Sequence, residues 1–260
     1  MAATGKALFD AGSVPDNYRR YLEPVLFAPW AERFVGWAGV HFGDVVLDLA
    51  AGTGVVSRVA ARASGSTGRV IANDVSAGML QQAARTREPR AAVIVPLLGS
   101  ASALALPDGS VDVVLCQQGL QFMRDPGAVL AESMRVLRPG GTLAVSVWAD
   151  DEPLEPFDSY AEVLGRDNSS VVTPVHGIID RLVGAGARNV TVTRQSLAVR
   201  WPTLDSEIAG IFGTPFGPIV EAMSSVDRET VMSALRANLA GPGGRTLDHS
   251  TTAVFGRGAR

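Results

Sequence analysis

The sequence predicts an α/β fold: a doubly wound, mostly parallel, seven-stranded sheet with a helical insertion. Three observations lead there. Between residues 45 and 148 short apolar runs alternate with helical patterns, and each parallel connection must cross over one face of the sheet. A glycine-rich turn closes the first run, as strand–loop–helix units require. The chain's 260 residues, 47% apolar and 19% charged, supply a sizeable core for one domain with an embellishment.

The elements follow in order. Residues 15–40 carry aromatic and aliphatic side chains at helical spacing, and Pro24 and Pro29 are expected to divide them into two helices. Val45, Val46, Leu47, Asp48 and Leu49 make the first strand, and residues 55–63 the helix after it. Residues 69–72 read as the second strand, closed by Asp74, with Ser76 as the cap of a helix through Ala84. Residues 92–98 read as a third, buried strand, and 111–116 as a fourth. A helix over about 126–137 precedes the fifth strand, 141–148. Residues 149–175, rich in acids and prolines, read as an excursion over the sheet, followed by a helix over 176–182 and a sixth strand over 190–199. Helical segments within 202–247 form the insertion, and 249–255 returns as the seventh strand. The expected division is N-terminal helices over 1–43, an α/β core over 44–200, the insertion over 201–248 and the last strand over 249–260.

Composition narrows the chemistry. The net charge of −3 leaves no field that would gather a nucleic-acid backbone. Lys6 is the sole lysine and Ala7 follows it, so a phosphate-binding Gly-Lys-Ser/Thr loop is excluded and lysine Schiff-base chemistry nearly so. Cys116, the one cysteine, permits neither an internal disulfide nor a multi-cysteine zinc site, and no metal is expected. Ala7, Leu8 and Phe9 before Asp10 are too short a patch for a signal peptide, and no run approaches membrane-spanning length. A soluble cytoplasmic protein acting on a small molecule, with no nucleic-acid or membrane partner, is the expectation.

The chemical signal is Asp48-Leu49-Ala50-Ala51-Gly52-Thr53-Gly54, directly after the first strand. Glycines there let a ligand approach backbone amides at a helix N-terminus. In an open parallel sheet that loop borders the ligand crevice, where the strand order reverses. Asp74, twenty residues after Gly54, closes the second strand, and its carboxylate can accept both ribose hydroxyls. A dinucleotide fingerprint would need a third glycine or alanine, where Ser57 stands. S-adenosylmethionine, with an amino-acid tail in place of a pyrophosphate, fits the loop better. The plainer alternative is that Gly52 and Gly54 only shape a tight strand–helix turn.

With these motifs on the page, the sequence resembles the class I S-adenosylmethionine-dependent methyltransferases, close to the group containing quinone C-methyltransferases and other small-molecule methyltransferases. The resemblance spans about residues 44–148. It is carried by the stretch from Val46 to Gly54, by Asn73-Asp74-Val75-Ser76-Ala77-Gly78-Met79-Leu80, by Leu106-Pro107-Asp108-Gly109-Ser110-Val111-Asp112-Val113-Val114, and by Val136-Leu137-Arg138-Pro139-Gly140-Gly141. It implies a Rossmann-like fold whose last strand runs antiparallel, S-adenosylmethionine as cofactor and S-adenosylhomocysteine as product. It places the methionine moiety on Gly52 and Gly54, the ribose on Asp74 and the adenine on Val75, with Met79 beside it. Asp48 either supports the loop or meets the cofactor amino group. Two departures stand out. Ala50 occupies a usual glycine position, and Ser100, before Ala101, occupies a usual aspartate position; a serine hydroxyl keeps one neutral hydrogen bond to adenine, and losing one costs only about 1 kcal/mol.

Methyl transfer from a sulfonium is an in-line displacement with a neutral leaving group, so positioning in a dry pocket suffices and a base is optional. Three histidines compete for that optional role. His41 lies toward the amino end of the sheet, whereas His176 and His249 are expected at the carboxyl edge, as a base or as rim residues. Gln117, Gln118 and Gln121 follow the fourth strand: Gln117 is expected beside the cofactor, and Gln118 and Gln121 beside the acceptor or as polar caps. Tyr18 and Tyr21 are expected to close over the cofactor as a lid or to pack on the core. Trp148, Trp201 and Phe212 suit either aromatic walls for a flat acceptor or a lid core. The expected site lies beneath the insertion. Three functions remain: methyl transfer to a small apolar or aromatic molecule, a cyclase or binding protein that keeps the sulfonium without transferring methyl, and a nicotinamide oxidoreductase, which lacks both the third glycine and a Tyr-x-x-x-Lys pair. The chain is expected to act as a monomer or homodimer.

Overall fold

The computed structural model describes residues 9–85, 89–166, 177–240 and 247–260. Its sheet has the order β3-β2-β1-β4-β5-β7-β6. The strands are β1 (Val45–Leu49), β2 (Arg69–Asp74), β3 (Val93–Leu98), β4 (Val111–Gln117), β5 (Leu137–Trp148), β6 (Arg188–Arg200) and β7 (Asp248–Ala259). The first five run parallel, and β7 pairs antiparallel with both β5 and β6. β1 and β4 are neighbours, with Asp48 opposite Leu115. The chain winds outward from them in both directions, which makes the gap between their carboxyl ends the place where a ligand fits.

Alternation along the strands sends successive side chains to opposite faces. Val46, Val70, Val113, Leu115 and Ala144 meet α2 (Ala28–Ala38) and α3 (Val55–Ser64) on one face. Leu47, Leu49, Val114, Cys116, Leu143 and Val145 meet α5 (Pro126–Val136) and α7 (Ile178–Gly184) on the other. Between these two, α4 (Ala77–Ala84) follows β2 and α6 (Phe157–Val163) follows β5. Ser76 caps α4 by accepting the Met79 amide, and Asp125 caps α5 by accepting that of Ala128. Between β6 and β7 lie α8 (Leu204–Ala209), a 3-10 turn (Gly210–Gly213), α9 (Gly217–Glu221) and α10 (Ser225–Ala240). They share a separate apolar cluster of Tyr160, Ile208, Ile211, Phe216, Val220, Leu235 and Leu239.

Three expectations need correction. The chain before β1 is not two helices divided at Pro24. After a short α1 (Val14–Asn17), residues Tyr18–Phe27 wind as a π-helix that contains Pro24 and continues into α2. The wider π turn shifts the carbonyl that a proline ring would meet in an α-helix. β3 is not buried: it is the open edge of the sheet, with Val93 and Leu98 more than half exposed. Its apolar run therefore gave no guide to its depth, and Pro96 suits an edge that needs no full set of donors. The excursion after β5 contains α6, whose Tyr160 is fully buried.

Candidate functional site

The site is built at the switch point between β1 and β4. Ala50 and Gly52 both adopt left-handed backbone, at φ 51° and 55°. That geometry explains why glycine is usual at position 50 and why alanine there carries strain. A Cβ on Gly52 would meet nothing within 4 Å, so the peptide is open to a ligand. Gly54 starts α3 with φ 83°, and a Cβ there would come within 2.6 Å of the Ala83 Cβ. Only glycine lets the loop pass α4 this closely.

Asp74 ties the two halves of the cradle together. Its Oδ2 accepts the Gly52 amide at 2.8 Å and its Oδ1 accepts the Ser76 amide at 2.9 Å. Burial pushes its pKa upward, opposed by the hydrogen bonds from Ser76 and Gly52. Asp48 sits beneath the loop, 1% exposed, and accepts the Ser57 hydroxyl at 2.5 Å. Burial raises its pKa to about 7, the Ser57 bond opposes the shift, and the nearby Asp74 charge adds to it. These contacts support Asp48 as a loop prop. They also give Ser57, which failed the dinucleotide pattern, a role of its own.

On the β4 side, Gln117 and Gln118 are buried. Gln117 Nε2 donates to the Phe27 carbonyl at 3.3 Å and Gln118 Nε2 donates to Ser146 Oγ at 3.0 Å. The Oε1 atoms of both have no partner. Gln118 holds φ 55°, a strained backbone for a non-glycine residue. Gln121 Oε1 is used internally, accepting the Trp148 amide at 3.2 Å. Gly119 brings the β4 loop against the β1 loop: a Cβ there would lie 2.6 Å from the Ala50 Cβ. Both acceptors lie sealed on the β4 side of the switch point.

The remaining expected residues separate. Tyr18 stacks on Phe27 at 4.9 Å between ring centroids, and its phenol pKa is raised by burial, then by Glu23 and by Asp74 of the cradle. Tyr21 turns away from it, lining an outer cleft with Arg20, Pro24 and Arg200. Val75 is half-buried beside Asp74, and Met79 is buried on α4. Ser100 is exposed and bonds Ser102 Oγ at 2.8 Å, whereas Ala101 is buried. Trp148 packs against Trp30 and Phe27 in the sheet core. Trp201 is fully buried, and Phe212 packs on the insertion's cluster. His249 Nε2 lies 2.6 Å from Glu207 Oε1, with both side chains nearly inaccessible. His176 lies outside the described residues. Among the described residues no cluster of His, Cys, Asp and Glu is placed to hold a metal.

Sequence reasoning missed Glu23, Arg58 and Gly119. Glu23 comes from the N-terminal π-helix, with no motif around it. Gly119 could have been suspected as a glycine closing the fourth strand.

This fold and cradle define a class: an α/β protein with an open glycine loop after β1 and an acidic residue at the end of β2. Residues 47–145 match the family model described as a methyltransferase domain. The chain is 28% identical over 239 residues to an uncharacterised protein of Mycobacterium tuberculosis, covering 90% of this chain and 84% of that one. It is 41% identical over 136 residues to the ubiquinone/menaquinone biosynthesis C-methyltransferase of Chromobacterium violaceum, spanning 50% of this chain and about half, 54%, of that protein. Its fold resembles a Haemonchus contortus phosphoethanolamine N-methyltransferase solved with phosphomonomethylethanolamine and S-adenosylhomocysteine, with a TM-score of 0.64 and 15% identity over 99% of this chain and 61% of that one. Residues 47–145 thus read as a methyltransferase domain, and the fold of the chain is the Rossmann-like one of the S-adenosylmethionine-dependent methyltransferases. Among the described residues no helix is long and apolar enough to cross a membrane.

Proposed function

We propose that this chain transfers the sulfonium methyl of S-adenosylmethionine to a small apolar or aromatic molecule, as a cytoplasmic enzyme. The observation that carries it is the cradle itself: an open Gly52 peptide at the switch point with the Asp74 carboxylate bonded to it. Those residues suit the cofactor. Gly52 and Gly54 would admit its methionine tail, Asp74 its ribose hydroxyls, and Val75 and Met79 its adenine, with Ala101 behind. Ser100 points to solvent beside Ser102, which leaves adenine fewer polar contacts than an aspartate would supply.

Bound there, S-adenosylmethionine supplies an electrophilic methyl group on a leaving thioether. The protein's work is to hold the nucleophile in line and to exclude water. The π-helix reaches the cradle through Glu23, which bonds Thr53 and Arg58. Gln117 and Gln118, whose Oε1 atoms are unpaired acceptors at the end of β4, would reach a cofactor ammonium or an acceptor hydroxyl only after a shift of their side chains. The partial match to a quinone C-methyltransferase supports an aromatic acceptor. His249 is committed to Glu207, so geometry favours a structural role for it over that of a base. The test is product analysis with methyl-labelled S-adenosylmethionine and a panel of phenols and hydroquinones. Label in the acceptor is expected; a bound cofactor with no transfer to any acceptor would favour the binding or cyclase reading.

A further inference from the structure

The N-terminal segment is fastened along the whole cradle. Asp10 accepts the Ser76 hydroxyl at 2.7 Å and the Gly78 amide at 3.0 Å. Arg19 donates to the Gln82 carbonyl at 2.7 Å, and Asp16 accepts from the Gln82 side-chain Nε2. Phe9 meets Phe122 edge-on at 5.0 Å. The contact of a different kind is Glu23, because it reaches the ligand loop. Its carboxylate accepts the Thr53 hydroxyl through Oε2 and the Arg58 guanidinium through Oε1. Arg58 in turn donates to the Thr53 carbonyl at 2.8 Å. Thr53 is fully buried, and the Glu23 and Arg58 side chains are only 13% and 11% exposed. Thr53 stands between Gly52 and Gly54, and both its side-chain hydroxyl and its carbonyl are held from outside the loop.

We infer that Glu23 is a positioning residue that makes cofactor affinity depend on closure of the N-terminal segment, by locking the Gly52-Thr53-Gly54 conformation and neutralising the Arg58 cation beside it. This rests on the S-adenosylmethionine assignment above. Two glycines flanking Thr53 give the loop wide conformational freedom, which a ligand would otherwise have to remove on binding. The neutralisation has its own signature. S-adenosylmethionine is cationic at sulfur and S-adenosylhomocysteine is neutral there, so an uncompensated Arg58 penalises the first more than the second.

The test is calorimetric titration of the whole chain and of Glu23→Gln with both ligands, alongside hydrogen exchange of the ligand-free proteins. In the variant both ligands should weaken about tenfold, and S-adenosylmethionine about threefold further. Amide exchange should quicken across residues 50–58 while the centres of β1, β4 and β5 stay protected. In Glu23→Gln/Arg58→Gln the ratio of the two affinities should return to the wild-type value, while the shared loss persists. Unchanged affinities in a folded Glu23→Gln overturn the inference, as does faster exchange across the entire sheet, which marks a purely structural residue. If the wild-type chain binds neither ligand, the cofactor assignment falls and this inference with it. Wild-type binding with an indifferent variant sinks this inference alone.

Discussion

The two sides of the switch point are held by different forces. The side after β1 and β2 is a lattice of short polar contacts: Asp74 on Gly52 and Ser76, Asp48 under Ser57, Glu23 on Thr53 and Arg58. The side after β4 and β5, with the insertion before β7, leans more on packing, with Trp148 on Trp30 and Tyr160 and Phe216 in the insertion's cluster, beside the buried glutamine bonds and the buried pair of His249 with Glu207. Polar contacts fix atoms closely and suit one ligand held in one geometry. Packed surfaces can be reshaped without unravelling a network, and they suit an acceptor that differs from one enzyme to another.

The comparison breaks most visibly at His249. His249→Ala would leave the buried Glu207 carboxylate without its partner and should cost about 3 kcal/mol or more of stability. Its S-adenosylhomocysteine affinity should stay within about twofold of wild type once the protein is folded. Chemical denaturation and titration on one preparation check both halves. A large loss of cofactor affinity would show that the two sides are not separable.

Gly54→Ala attacks the polar side by sterics alone. The new Cβ would meet Ala83 from a left-handed backbone, a loss of about 2–4 kcal/mol in thermal denaturation. A change below about 0.5 kcal/mol would mean that α3 and α4 move apart freely.

Asp48 sharpens the picture through pH. Its pKa in the folded chain is about 7, against an ordinary value near 3.8. Between those values the folded state keeps a proton that the unfolded state has lost, so this group's contribution makes stability fall as pH rises through the window and level off above about 7. Asp48→Asn, which keeps an acceptor for Ser57, should remove that slope and be more stable than wild type by a few kcal/mol at pH 8, and about equal to it near pH 4. Urea unfolding at several pH values measures the difference. Parallel curves for the two proteins would show that Asp48 is ionised in the folded state.

The smallest effect is expected at Ala50. Ala50→Gly relieves the strain of φ 51° and should raise stability by at most about 1 kcal/mol, part of it lost again to the unfolded chain's greater freedom.

The same division governs what could be read from the sequence. The β1 loop and Asp74 were legible because local backbone demands, left-handed turns and a carboxylate at a strand end, leave fixed residue types at fixed spacing. β1 matched the expected residues 45–49, since a central parallel strand is apolar on both faces. Glu23 was not legible, because its partners are thirty and thirty-five residues away and no motif surrounds it. Nor was the fate of Trp148 or His249: an aromatic or imidazole at a strand end is equally compatible with a pocket wall and with a core, and only long-range packing decides. The edge position of β3 was hidden for the same reason, since an apolar run does not state how many neighbours it will have.

The central claim is that the Gly52 peptide and the Asp74 carboxylate together seat an adenosyl nucleoside. Calorimetric titration of S-adenosylhomocysteine and of NAD into the wild-type chain and into Asp74→Ala tests it most directly. The expected result is saturable binding of S-adenosylhomocysteine but not NAD by the wild type, weakened by roughly 30- to 100-fold in the variant. Equal affinity in both proteins, or a wild-type chain that takes NAD and ignores S-adenosylhomocysteine, would contradict it.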